Sequence, residues 1–201
     1  MAARYSVAVA PDQTPTIRDL RDLPDLWLLS DARNDAALER SLAALPDSSG
    51  FLFRHYHLAE PERRARFEAL AVLARKHGHL VMLSDSAARA REWGADGVSG
   101  PAERIAGAGM LAVATAHDDA EIAAATSAGA HAIMLSPVFA TRSHPGGTAL
   151  GATRFHALAS RSALPVIALG GMDPARAREL GWSRWAAIDG LTAASPPARN
   201  A

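Results

Sequence analysis

The sequence predicts a single α/β domain that closes on itself: a (β/α)8 TIM barrel, compact and with short helices. Three observations predict it. Short apolar runs of strand length recur along the 201 residues, reading as strands buried on both faces. They alternate with segments of helical periodicity, which points to a parallel sheet. Two of the runs end in glycine-containing breaks. Ala132-Ile133-Met134-Leu135 leads into Ser136-Pro137 and a polar loop with Thr141, Arg142, Ser143, His144 and Gly146-Gly147; Val166-Ile167-Ala168-Leu169 leads into Gly170-Gly171 and then Asp173-Pro174. Strand, glycine-rich break and helix start is how such a barrel offers N–H groups and hydroxyls to an anion at its C-terminal face. An open doubly wound sheet is the alternative, and the first strand is not followed by G-x-G-x-x-G.

In chain order, residues 1–25 read as an N-terminal extension, with Ile17 to Leu20 and Leu23 suited to a short helix under the barrel. Leu26-Trp27-Leu28-Leu29 is the first strand. Asn34 or Asp35 caps a helix through Leu45. Gly50 to Arg54 forms the second strand, and Pro61 opens a helix that Gly78 stops. Leu80 to Leu83 is the third strand, followed by a helix over 87–93. Gly97-Val98 is a minimal fourth strand, and Met110 to Ala114 the fifth. Asp118-Asp119 open a helix that ends at Gly129. The two segments described above supply strands six and seven, with Asp173 as N-cap and Pro174 in the first turn of the next helix. Ala186-Ala187-Ile188 is the eighth strand. The barrel spans 26–193, and 194–201 reads as a flexible tail.

Composition excludes several functions. Twenty-one Lys and Arg balance twenty-one Asp and Glu, so no nucleic-acid footprint is present. There is no cysteine, hence no thiolate nucleophile or thiolate metal site. No apolar run is long enough to span a bilayer, and the first residues lack a signal-peptide pattern, so the expectation is a cytoplasmic protein with no membrane partner. Lys76 is the single lysine and falls late in a helix, which rules out lysine-imine aldolase chemistry.

Four segments carry a resemblance: LWLLSD at 26–31, GADGV at 94–98, SPVFATRSHPGG at 136–147 and PVIALGGMDP at 165–174. In this order and spacing they resemble the thiamine phosphate synthase and TenI family of small TIM barrels, over about residues 26–191. The resemblance implies a transferase that joins hydroxymethylpyrimidine diphosphate to thiazole phosphate and releases pyrophosphate, with Mg2+ as cofactor. Such a displacement needs cations and hydrogen-bond donors on the departing diphosphate.

By that resemblance Arg54 alone survives from a Gln-Leu-Arg-Glu-Lys run that contacts diphosphate. Asp85 takes the place of a metal-binding aspartate and Glu103 that of the second metal carboxylate, with shifted spacing. Thr115 stands for a serine after strand five, Thr141 is kept, Ser143 replaces a threonine, and His144 stands where a lysine is usual. Gly170 and Gly171 retain the turn that holds a substrate phosphate; Ile188 and Gly190 stand in the second such turn, where small residues are usual and Asp189 puts a carboxylate beside the phosphate. Pro137 occupies the place of the tautomerase branch's histidine. Each residue also has a plainer reading: Arg54 in a rim salt bridge, Asp85 as a helix N-cap, Thr141 and Ser143 in loop hydrogen bonds, Gly170-Gly171 as a turn demanded by packing. His55, His57 and His117 near strand ends, and the four tryptophans, read as structural or solvated.

The partners expected are small phosphorylated substrates, with room for a homo-oligomer. Besides the synthase, with an intact or a depleted diphosphate pocket, two alternatives stay open. One is a TenI-like non-catalytic binder of thiazole or thiamin phosphate. The other is a different phosphate-handling barrel enzyme, such as a sugar-phosphate isomerase.

Overall fold

The computed structural model describes residues 23–143 and 146–192. The segment expected to form a helix near residues 17–20, His144, and the tail lie outside the described residues. Eight parallel strands follow one another around a closed barrel: β1 (Leu26–Leu29), β2 (Gly50–Phe53), β3 (Leu80–Leu83), β4 (Gly97–Gly100), β5 (Leu111–Ala116), β6 (Ala132–Leu135), β7 (Val166–Leu169) and β8 (Trp185–Ala187). The last strand closes on the first, with Leu26 opposite Trp185 and Trp27 opposite Ala186. The helices are α1 (Leu38–Ala44), α2 (Glu60–Lys76), α3 (Ala87–Glu92), α4 (Ala102–Ile105), α5 (Asp119–Ser127), α6 (Gly151–Ala159) and α7 (Pro174–Leu180). Among the described residues no helix is long and apolar enough to cross a membrane.

Alternation along each strand sorts side chains into two cores. Trp27, Leu29, Leu52, Leu80, Met82, Val113, Met134, Ile167 and Ala186 pack inside the barrel. Their neighbours Leu28, Phe51, Phe53, Val81, Leu83, Ile133, Leu135, Val166 and Ala168 pack outward against Phe67, Leu70, Phe155 and other helix residues. Both faces are buried, which is why each strand reads as an unbroken apolar run.

The bottom of the barrel is filled by the Trp27 indole, which is fully buried and donates from Nε1 to the Pro24 carbonyl at 2.7 Å. Leu23 joins this inner core. The neighbouring strand gives way: a Cβ on Gly50 would lie 2.2 Å from the Trp27 ring. Gly50 is a packing requirement of the indole.

Four sequence expectations are corrected. Asn34 does not cap α1. A 3-10 turn (Asp35–Ala37) precedes that helix, and Asn34 is buried, donating from Nδ2 to the carbonyls of Leu29 (3.0 Å) and Ile188 (3.3 Å). β4 runs through Gly100, longer than Gly97-Val98, because its ladder with β5 continues to Gly100 opposite Ala114. β5 extends to Ala116, opposite Leu135, which places Thr115 inside a strand. Asp85 is not the cap of α3; Ser86 is, its side chain accepting the Arg89 N–H at 3.2 Å. Asp173, by contrast, caps α7 as expected, accepting the Arg176 N–H at 2.9 Å. α4 and α6 have no counterpart in the sequence reading.

Gly50→Ala forces a methyl into the indole. Overpacking of this kind costs about 1–3 kcal/mol, so the urea midpoint should drop with an unchanged slope; an unchanged midpoint would show that the barrel floor yields.

Candidate functional site

The C-terminal ends of the strands open onto a cavity of about 210 Å³. Arg54 and Ser136, each the first residue beyond its strand, line it together with Leu169 at the end of β7. Thr141 and Ser143 reach it from the loop after β6, Gly170 and Gly171 from the turn after β7, and Ile188, Asp189 and Gly190 from the segment after β8. Of the residues expected to bind substrate, seven therefore share one cavity. Thr115, half-buried in β5, does not line it; His117, two residues on, does.

The turn after β7 is built against the loop after β6. Val138 and Phe139 donate their N–H groups to the carbonyls of Leu169 (2.8 Å) and Gly170 (3.0 Å). This approach leaves no space for side chains. A Cβ on Gly170 would lie 2.7 Å from Pro137 Cα, one on Gly171 2.6 Å from the Ala140 carbonyl, and one on Gly190 2.2 Å from the Met172 carbonyl. Gly170 and Gly171 also hold φ of +96° and +64°, where a Cβ is disfavoured. The packing reading of this turn is thus satisfied in full. It is also compatible with binding: the carbonyls of Leu169 and Gly170 face the β6 loop, and the N–H groups of Gly170 and Gly171 engage no acceptor among the described residues.

Asp189 at the rim is the carboxylate whose place beside a phosphate would be unfavourable. Here it is drawn into pairs with Arg33 (3.3 Å) and Arg142 (3.0 Å). Arg33 also bonds Asp31 (2.9 Å) and donates to the Ser143 hydroxyl (2.8 Å), tying the loops after β1, β6 and β8 together. Thr141 Oγ1 accepts the Ser143 N–H at 3.3 Å, so the loop hydrogen-bond reading also holds, and both hydroxyl protons stay available.

On the opposite wall, Arg54 has no ion pair among the described residues, and its guanidinium lies 5.5 Å from the Tyr56 ring centroid. Its main chain is fixed from both sides. The Arg54 N–H donates to Ser30 Oγ (2.7 Å), and its carbonyl accepts from Arg63 Nε (2.9 Å). Ser30 Oγ is 2.8 Å from His55 Nδ1, and His55 Nε2 is 2.7 Å from Asp35 Oδ1, which also accepts from Arg66 at 2.8 Å. The Asp35 carboxylate can only accept, so His55 carries a proton at Nε2, and in the neutral imidazole that burial favours, Nδ1 accepts from the Ser30 hydroxyl. His55 is 1% exposed, stacks on Phe53, and adopts φ +40°. Burial pushes its pKa below the ordinary value, against the opposing pull of Asp35.

The two expected metal ligands have different surroundings. Asp85 Oδ2 is 2.6 Å from Arg63 Nη1, its Oδ1 accepts the Ser86 N–H at 2.7 Å, and Arg89 stands 3.9 Å away. Burial would raise its pKa, but these donors and charges hold it below the usual carboxylate value. Glu103 sits exposed in the first turn of α4. Mg2+ needs about six oxygen ligands in near-octahedral geometry. Asp85, with both oxygens taken by protein donors, does not fit that role, and among the described residues no group of three His, Asp or Glu side chains converges to hold an ion.

Sequence reasoning missed Arg63, indistinguishable by pattern from Arg64 and Arg66, and the pairing of His117 Nδ1 with Glu121 (2.6 Å) beside the cavity. The i, i+4 spacing of His117 and Glu121 on a helix start was the available signal.

A closed parallel barrel that gathers an arginine, two hydroxyls and glycine turns around one C-terminal cavity places the chain in the class of (β/α)8 barrel proteins. The family model described as thiamine monophosphate synthase (TMP-TENI) matches residues 29–191, and this chain belongs to that family. It is 33% identical to the thiamine-phosphate synthase of Mycobacterium sp. (strain KMS), over 86% of this chain and 87% of that protein. It is 28% identical to the thiamine-phosphate synthase of Xanthomonas campestris pv. campestris (strain 8004), over 91% and 93%. Among solved structures, thiamine phosphate pyrophosphorylase from Pyrococcus furiosus superposes with a TM-score of 0.71 at 21% identity, over 85% of this chain and 88% of that one. The 2-keto-3-deoxy-6-phosphogluconate aldolase of Zymomonas mobilis ZM4 shares the fold, with a TM-score of 0.61 at 13% identity, over 88% and 87%. Lys76, the single lysine, ends α2, which leads to the start of β3 and so lies at the far end of the barrel from the cavity.

His55 and His79 are both buried and both have lowered pKa values, chiefly through burial. The unfolded chain, with histidine near 6.5, then binds protons more readily than the folded one, so stability is full above about pH 6.5 and declines below it. Urea unfolding at pH 7 and pH 5 should show a lower midpoint at pH 5, with a smaller drop in His79→Gln. Equal midpoints for the native chain at the two pH values would contradict the buried neutral assignment.

Proposed function

We propose that this chain catalyses the family's transfer: it joins hydroxymethylpyrimidine diphosphate to thiazole phosphate and releases pyrophosphate. The observation that carries the reading is one cavity with an anion-receptive group at each end. Arg54, with no ion pair among the described residues, stands at one wall, and the Gly170-Gly171 and Gly190 turns stand at the other. In this reaction the bond between the pyrimidine methylene carbon and the diphosphate oxygen breaks, and its electron pair leaves with pyrophosphate. The thiazole nitrogen lone pair then forms the new carbon–nitrogen bond, so no proton has to be moved.

The chain's work is charge and placement. Arg54 offers a fork of N–H donors to the departing diphosphate, and its orientation is supported by Ser30 and Arg63 on its main chain. Thr141 and Ser143 supply hydroxyl donors. The glycine turns let the thiazole phosphate approach backbone N–H groups. Asp189, neutralised by Arg33 and Arg142, leaves the phosphate without an uncompensated carboxylate neighbour. No step is assigned to a metal, since the residues at Asp85 and Glu103 do not fit one.

A second reading is a non-catalytic binder of thiazole or thiamin phosphate. It is favoured by Tyr56, two residues beyond Arg54, where the family's run ends in lysine; an uncharged ring there adds nothing to stabilise a departing diphosphate.

Turnover of the two substrates, followed as thiamin phosphate formed, separates the readings. The proposal expects product, a loss in kcat of about a hundred- to a thousand-fold in Arg54→Ala, and a smaller loss in Thr141→Ala. Absence of product together with retained binding of thiamin phosphate would establish the binder. Absence of both would remove the thiamin assignment.

A further inference from the structure

Arg63, in the first turns of α2, is a charged side chain that is only 7% exposed. Each of its three guanidinium nitrogens makes a hydrogen bond. Nη1 bonds Asp85 Oδ2 (2.6 Å), Nε donates to the Arg54 carbonyl (2.9 Å), and Nη2 donates to the Ser84 carbonyl (3.0 Å). The Trp93 and Tyr56 rings flank it at 5.3 and 5.5 Å. One side chain thus joins the residues that follow β2 to those that follow β3, on the side of the mouth where Arg54 stands.

We infer that the fixed cation on this side of the ligand site is the Arg63 guanidinium, that Asp85 is its counterion and holds no divalent ion, and that phosphorylated ligands therefore bind here without a metal. The inference rests on the phosphate reading of the cavity given above. Three physical arguments support it. Arginine keeps its charge at every working pH, so Arg63 cannot leave Asp85 by losing a proton. Moving it away would strip two carbonyls and a half-buried carboxylate of their partner, a costly state. A divalent ion at Asp85 would also meet two guanidinium groups of like charge, Arg63 in contact and Arg89 at 3.9 Å, and would find the other carboxylate oxygen already bonded to the Ser86 N–H. The shared anchor on Arg54 gives Arg63 a second consequence: the position of the diphosphate-facing arginine is set by protein hydrogen bonds before any ligand arrives.

The test uses the 15N-labelled full chain with Mn2+ added at about a tenth of an equivalent, a paramagnetic probe for any divalent-ion site. The amide signals of Asp85 and Ser86 should broaden no more than those of the exposed Glu62 and Glu68, and the Arg63 Nε–H signal should persist. Selective loss of the Asp85 and Ser86 signals, abolished in Asp85→Asn, would overturn the inference. Calorimetric titration with inorganic pyrophosphate gives the second readout. Dissociation constants in EDTA and in Mg2+ should agree within about threefold; a tenfold or greater weakening in EDTA would overturn metal-free binding. Pyrophosphate that fails to bind in either buffer would overturn the phosphate reading of the cavity and with it the claim of metal-free binding. The Mn2+ pattern would still decide what occupies Asp85.

Discussion

The cavity depends on the backbone contact between the loop after β6 and the turn after β7. Two main-chain hydrogen bonds, Val138 to Leu169 and Phe139 to Gly170, bring the segments so close that Gly170 has no room for a Cβ. That approach sets one wall of the cavity and turns Thr141 and Ser143 toward it. The same glycines that make the contact possible leave their own N–H groups without protein acceptors among the described residues. Packing and binding are thus met by one geometric solution, and neither reading of Gly170-Gly171 excludes the other.

The opposite wall is organised by side chains. Arg54 is held through its main chain by Ser30 below and Arg63 beside it, while its guanidinium lies over Tyr56. Behind Ser30, His55 spans to Asp35, which also accepts from Arg66, so a buried imidazole links the barrel mouth to α2. The rim is then closed by Arg33, which reaches both Asp189 and Ser143. This chain has a single lysine, and its site charges are arginines whose fork geometry permits several fixed bonds at once.

Much of this was legible in the sequence for a physical reason. Strands buried on both faces read as unbroken apolar runs, and all eight fall within two residues of where their runs predict. Gly170-Gly171 and Asp173-Pro174 were legible because positive φ, close approach and helix capping each demand specific residue types. What stayed hidden was set by long-range partners. Arg63 looks like any arginine of a polar helix until α2 packs against the loops after β2 and β3. Asp85 has the residue type of a metal ligand or a cap, and only the fold shows that Arg63 claims it and that Ser86 caps α3. Asn34 likewise carries a capping side chain, but the nearness of Ile188 across the barrel closure gives it a different partner. Thr115 was placed beyond its strand because the apolar run ends early, whereas the ladder with β6 continues to Ala116.

The central claim is that one cavity receives an anion at each end, the turns after β7 and β8 on one side and Arg54 on the other. A crystal structure of the chain with thiamin monophosphate bound tests it most directly. The account predicts the phosphate within hydrogen-bond distance of the Gly170, Gly171 or Gly190 N–H groups, with the pyrimidine directed toward Arg54. A phosphate seated on Arg54 with the glycine turns empty, or a ligand outside this cavity, would contradict it.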